Sequence, residues 1–113
     1  MTFKINNVSY KIIELTISQL REEYSKEYPN TQDNVYIYGR TDYIGHRILL
    51  NKDLCLEERI RTLKHELCHC WLWNTANANQ ETYNEEHICE IVACCNDFIT
   101  EISEKYRRTI KEG

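Results

Sequence analysis

The sequence contains one five-residue pattern whose side chains could carry out hydrolytic chemistry. His65 and His69 lie four positions apart, and Glu66 directly follows the first of them. In an α-helix, positions four apart lie one turn above each other, so both imidazoles can bind one tetrahedral Zn²⁺. Glu66 projects to a neighbouring position, where a carboxylate can take a proton from a metal-bound water without binding the metal itself. The pattern therefore predicts a zinc-dependent hydrolytic site with Glu66 as its general base.

The residues around this pattern predict a helix over Leu56–Asn74 with two different faces. The histidines lie on one side of this helix, where we expect them to face a cleft. The opposite side is an apolar stripe that we expect in the core, formed by Ile60, Leu63, Leu67 and Trp71. Two helical histidines that only pair with acidic side chains are the structural alternative, and a helical α+β domain without metal is a third possibility.

A second predicted helix, residues 81–108, offers a further metal ligand. A catalytic zinc normally has three protein ligands and a water. Glu86 and Glu90 lie four apart on one face, so one can bind the metal while the other holds the free N–H of a ligand histidine. Glu86 is the favoured ligand, and the alternatives are Glu90, His87 and Glu85. The apolar side of this helix is predicted to contain Ile88, Ile91, Cys95, Phe98, Ile99, Ile102 and Tyr106.

The N-terminal part of the chain predicts a β-hairpin followed by a helix. The two strands, residues 3–6 and 9–15, flank Asn6-Asn7, and asparagine tolerates the positive φ that a tight hairpin turn requires. Ser18 is the predicted N-cap of the helix. The helix should end near Pro29, because the residue before a proline is biased away from helical geometry.

Two more strands are predicted before the long helices, over residues 35–38, closed by Gly39, and over Arg47–Asn51. Residues 40–44 can continue either strand. If Arg47–Asn51 forms a sheet edge beside the cleft, it can bind an extended peptide by adding it as a further strand. Strands and one helix followed by two long helices indicate the α+β class.

Length and composition restrict the other possibilities. The chain has 113 residues, which predicts a single domain over residues 1–113. Its net charge of −4 argues against nucleic-acid binding driven by phosphate contacts. No apolar run approaches the length of a membrane span, and the N-terminus does not resemble a secretory signal, so we expect a cytoplasmic protein without a membrane partner.

The six cysteines are expected to be reduced thiols in a cytoplasmic protein. Most of them fall in the predicted long helices, where a cysteine behaves as a small apolar side chain. A second metal site that uses Cys68 or Cys94 is the alternative.

The two segments that carry the candidate ligands resemble a known family. Residues 62–69 read Thr-Leu-Lys-His-Glu-Leu-Cys-His, and residues 84–86 read Asn-Glu-Glu, with a further Glu-Ile-Val-Ala at 90–93. Together they resemble the small gluzincin-type zinc metallopeptidases, and most closely the compact phage- and mobile-element-encoded proteins related to the ImmA/IrrE metallopeptidases. Upstream, residues 39–51 resemble the glycine turn and strand that precede the active-site helix in such proteins.

The resemblance implies a small zincin-like domain whose zinc is bound by His65, His69 and Glu86. It assigns Glu66 as the general base and Glu90 as the residue that holds a ligand histidine. We therefore expect a minimal metallopeptidase that cleaves a protein or peptide substrate and uses Zn²⁺ as its cofactor. The alternative is a catalytically inactive, zinc-stabilised binding module of phage origin that acts on a host or phage regulator.

The chain departs from the family pattern at two points. His69 and Glu86 are separated by few residues, which leaves the choice between Glu86 and Glu90 open. The chain also has no second catalytic element of the kind that larger gluzincins place over the oxyanion. Tyr83, His87 and His46 are the candidate substitutes, and the sequence does not select among them.

Overall fold

The structure, a computed structural model, describes residues 1–27, 29, 37–75 and 83–112. It contains four strands and three helices within these residues and belongs to the α+β class, as predicted. The elements are β1 (Thr2–Ile5), β2 (Val8–Leu15), α1 (Ile17–Glu27), β3 (Gly39–Asp42), β4 (Arg47–Asn51), α2 (Leu56–Asn74) and α3 (Glu85–Glu112). The predicted bounds of β4 and α2 are confirmed.

The four strands form one mixed sheet in the order β1-β2-β4-β3. β1 pairs antiparallel with β2, and β3 pairs antiparallel with β4. β2 and β4 are parallel, with Ile12 opposite Ile48. The condition under which Arg47–Asn51 could bind a peptide as an added strand is therefore not met, because β4 lies between two strands and is not a sheet edge. Its continuous apolar run, Ile48 to Leu50, is typical of a strand buried on both faces, and the edge beside α2 is β3.

Helices cover both faces of the sheet, and side chains from alternate positions of the strands enter separate cores. Ile48 and Leu50 point towards α2 and α3, whereas Leu49 points towards α1. The larger core contains Phe3, Ile5, Tyr10, Ile12, Ile48, Leu50, Ile60, Leu63, Leu67, Cys70, Ile102 and Tyr106. The smaller core contains Leu20, Ile37 and Leu49. The larger core fixes α2, which carries the histidines, on the sheet.

The N-terminal hairpin has the predicted turn, but α1 begins one residue earlier than its predicted cap. Asn6 and Asn7 have φ values of 48° and 65°, as a tight hairpin turn requires. The N-cap of α1 is Thr16 and not Ser18. The Thr16 hydroxyl accepts a hydrogen bond of 3.2 Å from the backbone N–H of Gln19, while the Gln19 side chain accepts one of 2.9 Å from the N–H of Thr16. This reciprocal pair satisfies two helix-end donors, which Ser18 cannot do from inside the first turn.

The helix α3 begins later and ends later than predicted. Residues 83 and 84 precede the helix, and residues 81 and 82 lie outside the described part of the chain. The Asn84 side chain accepts a hydrogen bond of 2.7 Å from the N–H of His87, which caps the helix so that Glu85 is its first residue. The predicted strand over 35–38 is not formed by Ile37 and Tyr38, and residues 35 and 36 are not described.

The apolar side of α3 is partly as predicted. Cys95, Ile102 and Tyr106 are buried, and Phe98 and Ile99 pack against the larger core. Ile88, at the start of the same apolar side, is 49% exposed and is not part of the core. None of the three helices in the described residues combines the length and the apolar character that crossing a bilayer requires.

Candidate metal centre

The two histidines and the glutamate lie in the middle of α2. This helix packs on the sheet through Ile60, Leu63 and Leu67, all of which are buried as predicted. Because these residues are three and four positions apart, the opposite side of the helix carries His65 and His69, and both are exposed. The helix period therefore brings the two imidazoles together and directs them away from the core.

The spacing of the two imidazole rings fits a pair of metal ligands. Nε2 of His65 lies 3.2 Å from Nε2 of His69, and the ring planes are inclined at 71°. Two nitrogens bound to one tetrahedral Zn²⁺ at about 2.0–2.1 Å lie about 3.3 Å apart. The same distance also suits a hydrogen bond from a protonated to an unprotonated ring nitrogen. The pair therefore fits zinc but does not require it.

Glu66 has a different environment from the histidines on either side of it. The residue is only 8% exposed, and its Oε1 accepts a hydrogen bond of 2.9 Å from the hydroxyl of Thr41. That hydroxyl also lies 3.2 Å from the backbone oxygen of Glu66. Since Thr41 belongs to β3, this hydrogen bond lets the edge strand fix the orientation of the carboxylate.

A glycine allows β3 to lie this close to α2. A Cβ atom on Gly39 would lie 2.7 Å from Cγ2 of Thr62 and 2.9 Å from the backbone oxygen of Leu49. Any side chain at this position would push β3 away from α2 and separate Thr41 from Glu66. The sequence predicted Gly39 as the end of a strand, whereas it is the first residue of β3 and is required there by close packing.

A buried asparagine holds the segment that leads into β3. The side-chain amide of Asn51 donates a hydrogen bond of 3.0 Å to the backbone oxygen of Ile37, and its backbone N–H donates one of 2.9 Å to that of Tyr38. Its side-chain oxygen accepts a hydrogen bond of 2.8 Å from the N–H of Asp53. Sequence reasoning missed this role, although a polar residue at the end of an otherwise apolar strand was a usable signal.

Two cavities meet at Gly39 and Glu66. The larger has a volume of about 520 Å³ and reaches His69, whereas the smaller, about 370 Å³, reaches His65. The further lining residues of the larger cavity are Tyr24, Glu27, Ile37, Arg40, Thr41, Asp42, Tyr43, Ile44 and Trp73. Glu66 is therefore accessible from a cleft of the size that small ligands and peptide segments occupy.

Charged groups at the end of β3 are paired with one another. The guanidinium of Arg47 donates hydrogen bonds of 2.9 and 2.8 Å to Asp42 and one of 3.2 Å to Glu23. Although partial burial alone would raise the pKa of Asp42, the N–H of Gly45 and the Arg47 guanidinium together lower it below the ordinary value. The pKa of Glu23 is lowered too, because Arg47 outweighs the effect of burial. These pairs anchor the β3–β4 turn beside the cleft.

Among the described residues, the structure does not gather a third metal ligand around the histidines. Glu86 and Glu90 are both exposed. Within the described residues, no group of three or more His, Cys, Asp or Glu side chains is arranged to hold a metal ion. The structure thus brings together His65, Glu66 and His69 and leaves the α3 carboxylates apart from them.

The alignment of α2 with α3 explains this separation. The thiols of Cys68 and Cys95 are hydrogen-bonded to each other, and Arg107 lies 3.1 Å from Glu57, so the two helices are antiparallel. Because Cys68 lies between His65 and His69 in the sequence of α2, its partner Cys95 is level with the histidine pair along the helix axes. At a rise of 1.5 Å per residue, Glu86 lies about 13 Å from Cys95 along the axis of α3, and Glu90 lies about 7 Å from Cys95. Of the two predicted ligands, Glu90 is the nearer along the axis.

The residues considered as oxyanion groups are not among those that line the two cavities at Glu66. The ring of Tyr83, just before α3, stacks on the ring of His87 in the first turn of that helix. The ring of His46 contacts the ring of Tyr10. Tyr43 instead lines the larger cavity together with Glu66. Burial, and secondly the charge of Glu66, raise the pKa of the Tyr43 phenol. Nothing in the local sequence distinguished Tyr43, because its position depends on the approach of β3 to α2.

The cysteines divide into buried and exposed thiols. Cys70 and Cys95 are buried, Cys68 is half-buried, and Cys55, Cys89 and Cys94 are exposed. Burial raises the pKa of Cys70 to about 11, as is typical of an unreactive core thiol. The predicted second metal site on Cys68 or Cys94 is not assembled in the described residues.

Comparisons of the chain with known proteins give no matching family model, no matching curated protein and no matching solved structure.

Proposed function

We propose that this protein is a minimal zinc-dependent metallopeptidase of the gluzincin type, with Zn²⁺ bound by His65 and His69. The observation that supports this most directly is the 3.2 Å separation of the two Nε2 atoms, which matches a tetrahedral zinc site. Glu86 is the proposed third ligand, with Glu90 as the alternative. The start of α3 must move towards the histidines for either carboxylate to bind the same ion.

Glu66 is the proposed general base. A bound zinc would supply Lewis acidity, which polarises a scissile carbonyl and makes a nearby water more acidic. Glu66 would accept a proton from that water and pass it to the leaving amine. The hydrogen bond from Thr41 keeps the carboxylate oriented.

The proposed substrate is a polypeptide in extended conformation. β3 is the sheet edge beside the cleft, and among the described strands it pairs only with β4. Its free backbone groups can therefore bind an extended chain as an added strand. In this proposal β3 binds the substrate strand, a role that the sequence suggested for Arg47–Asn51.

The test compares the wild type with Glu66→Gln, both loaded with zinc, against a mixture of unfolded polypeptides whose cleavage is followed by mass spectrometry. We expect Glu66→Gln to bind the same amount of zinc and to lose cleavage by about 100-fold or more. Glu22→Gln, an exposed carboxylate on α1, is the matched control and should cleave normally. Unchanged cleavage by Glu66→Gln would eliminate this residue as the base.

A zinc-stabilised binding module is the second candidate function. It is favoured by the hydrogen bond from Thr41, which already occupies Oε1 of Glu66. In that case zinc would raise the thermal stability of the protein, and neither the wild type nor Glu66→Gln would cleave any polypeptide in the mixture.

A further inference from the structure

The larger cavity next to Glu66 has an aromatic wall. The rings of Tyr43 and Trp73 stack with their centroids 4.6 Å apart and their planes inclined at 21°. Trp73 is nevertheless 48% exposed, and the neighbouring Ile44 is 93% exposed. Large apolar side chains that line a cavity and remain open to solvent are typical of binding sites.

Arg40 and Asp42, two of the charged side chains that line the same cavity, are already paired with groups of opposite charge. Arg40 forms an ion pair with Glu27 and donates a hydrogen bond of 3.2 Å to the backbone oxygen of Glu23. Asp42 is paired with Arg47 at 2.8 Å. A charged ligand group would have to compete with these existing pairs, whereas an apolar group gains contact with the aromatic wall. The lining therefore favours an uncharged, apolar occupant.

The position of the cavity restricts the occupant further. It extends from Glu66 and His69 along β3, whose outer edge pairs with no other described strand and can align an extended backbone. A chain bound at this edge would direct alternate side chains towards α2, and the aromatic wall formed by Tyr43 and Trp73 lies on that side. The volume of about 520 Å³ accepts a large side chain together with its flanking backbone.

We propose that this cavity is a substrate subsite, which receives a large apolar or aromatic side chain of an extended polypeptide beside the bond that faces Glu66. The inference rests on the proposed function for the identity of that bond. Trp73 and Tyr43 are the specificity-determining residues, because they form the wall that such a side chain would contact.

The test measures binding without turnover. Zinc-loaded Glu66→Gln is titrated with blocked pentapeptides that differ only at the central residue, which is Phe, Leu, Ala, Asp or Lys, and affinity is measured by calorimetry. We expect the Phe and Leu peptides to bind at least about tenfold more tightly than the other three, because burial of a large apolar side chain favours binding by that factor or more.

Two further substitutions in the same background locate the preference. Trp73→Ala should reduce the difference in affinity between the Phe and Ala peptides to about twofold and should leave the affinity for the Ala peptide unchanged. Ile44→Asp, at an almost fully exposed position, should weaken the binding of the Phe peptide and strengthen the binding of the Lys peptide. Val92→Ala, an exposed apolar residue on α3, is the control and should change neither.

The outcomes separate this inference from the proposed function. Equal affinity for all five peptides, tighter binding of the Asp or Lys peptide, or no binding at all would overturn the subsite. If the wild type cleaves polypeptides without apolar preference, the subsite is wrong and the peptidase stands. If apolar peptides bind but the wild type cleaves nothing, the peptidase is wrong and the cavity stands as a peptide-binding site.

Discussion

Two regions supply the residues of the proposed metal centre, and the fold holds them very differently. The face of α2 that carries His65, Glu66 and His69 is backed by the larger core and contacted by β3. In the first ten residues of α3, 85–94, no residue is buried. The comparison shows that one half of the site is formed by the packing of the domain, while the other half lies on a helical segment without a fully buried residue.

The alignment of the helices explains this difference. α2 ends at Asn74, whereas α3 begins at Glu85 and runs antiparallel to it, so the start of α3 extends past the end of α2. Ile88 and Val92 in this segment are 49% and 56% exposed. A helical segment of this kind can change its position at low cost in free energy, because few buried contacts would be lost.

The largest expected difference between the two regions is in stability. Leu63→Ala in α2 should lower the free energy of unfolding by about 2–5 kcal/mol, because it leaves a cavity in the larger core. Ile88→Ala and Val92→Ala should change it by no more than about 0.5 kcal/mol in the zinc-free protein. Urea denaturation followed by circular dichroism measures both. A loss of 2 kcal/mol or more for Ile88→Ala would mean that the start of α3 is packed in solution.

The next difference is in zinc affinity, measured by competition with a chromogenic chelator. His65→Ala and His69→Ala should each weaken zinc binding by more than about 100-fold, which exceeds the usual effect of an outer-shell residue. Glu86→Gln and Glu90→Gln are compared with Glu101→Gln, an exposed carboxylate further along α3. The variant that weakens binding identifies the third ligand. If neither differs from the control, α3 does not take part in the site.

A smaller effect is expected where β3 meets α2. Thr41→Val removes the hydroxyl that donates to Glu66 but keeps the shape of the side chain. We expect kcat to fall by about tenfold while zinc affinity stays within twofold, because Thr41 orients the base and does not touch the metal. Thr41→Ser keeps the hydroxyl and should keep most of the activity. A loss of zinc binding in Thr41→Val would mean that the residue supports α2 itself.

The parts of the structure that sequence reasoning predicted are those encoded locally. The helical period placed α2 and its two histidines correctly, and the asparagine pair marked the hairpin turn. Sheet order is not local: an apolar strand such as β4 has the same pattern whether it lies inside a sheet or at its edge. The cap of α1 differed from the prediction because the Thr16–Gln19 pair uses two side chains at once.

The third ligand was the least predictable part of the site. Glu86 and Glu90 share a helical face, which the sequence shows, but their distance from His69 depends on the alignment of two helices. That alignment is set by contacts such as Cys68–Cys95 and Glu57–Arg107, which join residues far apart in the chain. Tyr43 and Asn51 were missed for the same reason, since their roles depend on how β3 packs against α2 and β4.

The distribution of thiols gives this protein built-in attachment points for spectroscopic labels. Cys89 and Cys94 are exposed on the segment of α3 whose movement matters, and Cys55 is exposed just before α2. The buried Cys70 and Cys95 are shielded from alkylating reagents by the core. After replacement of Cys94, a spin-label pair on Cys55 and Cys89 would report the distance between the two helices directly, before and after addition of zinc.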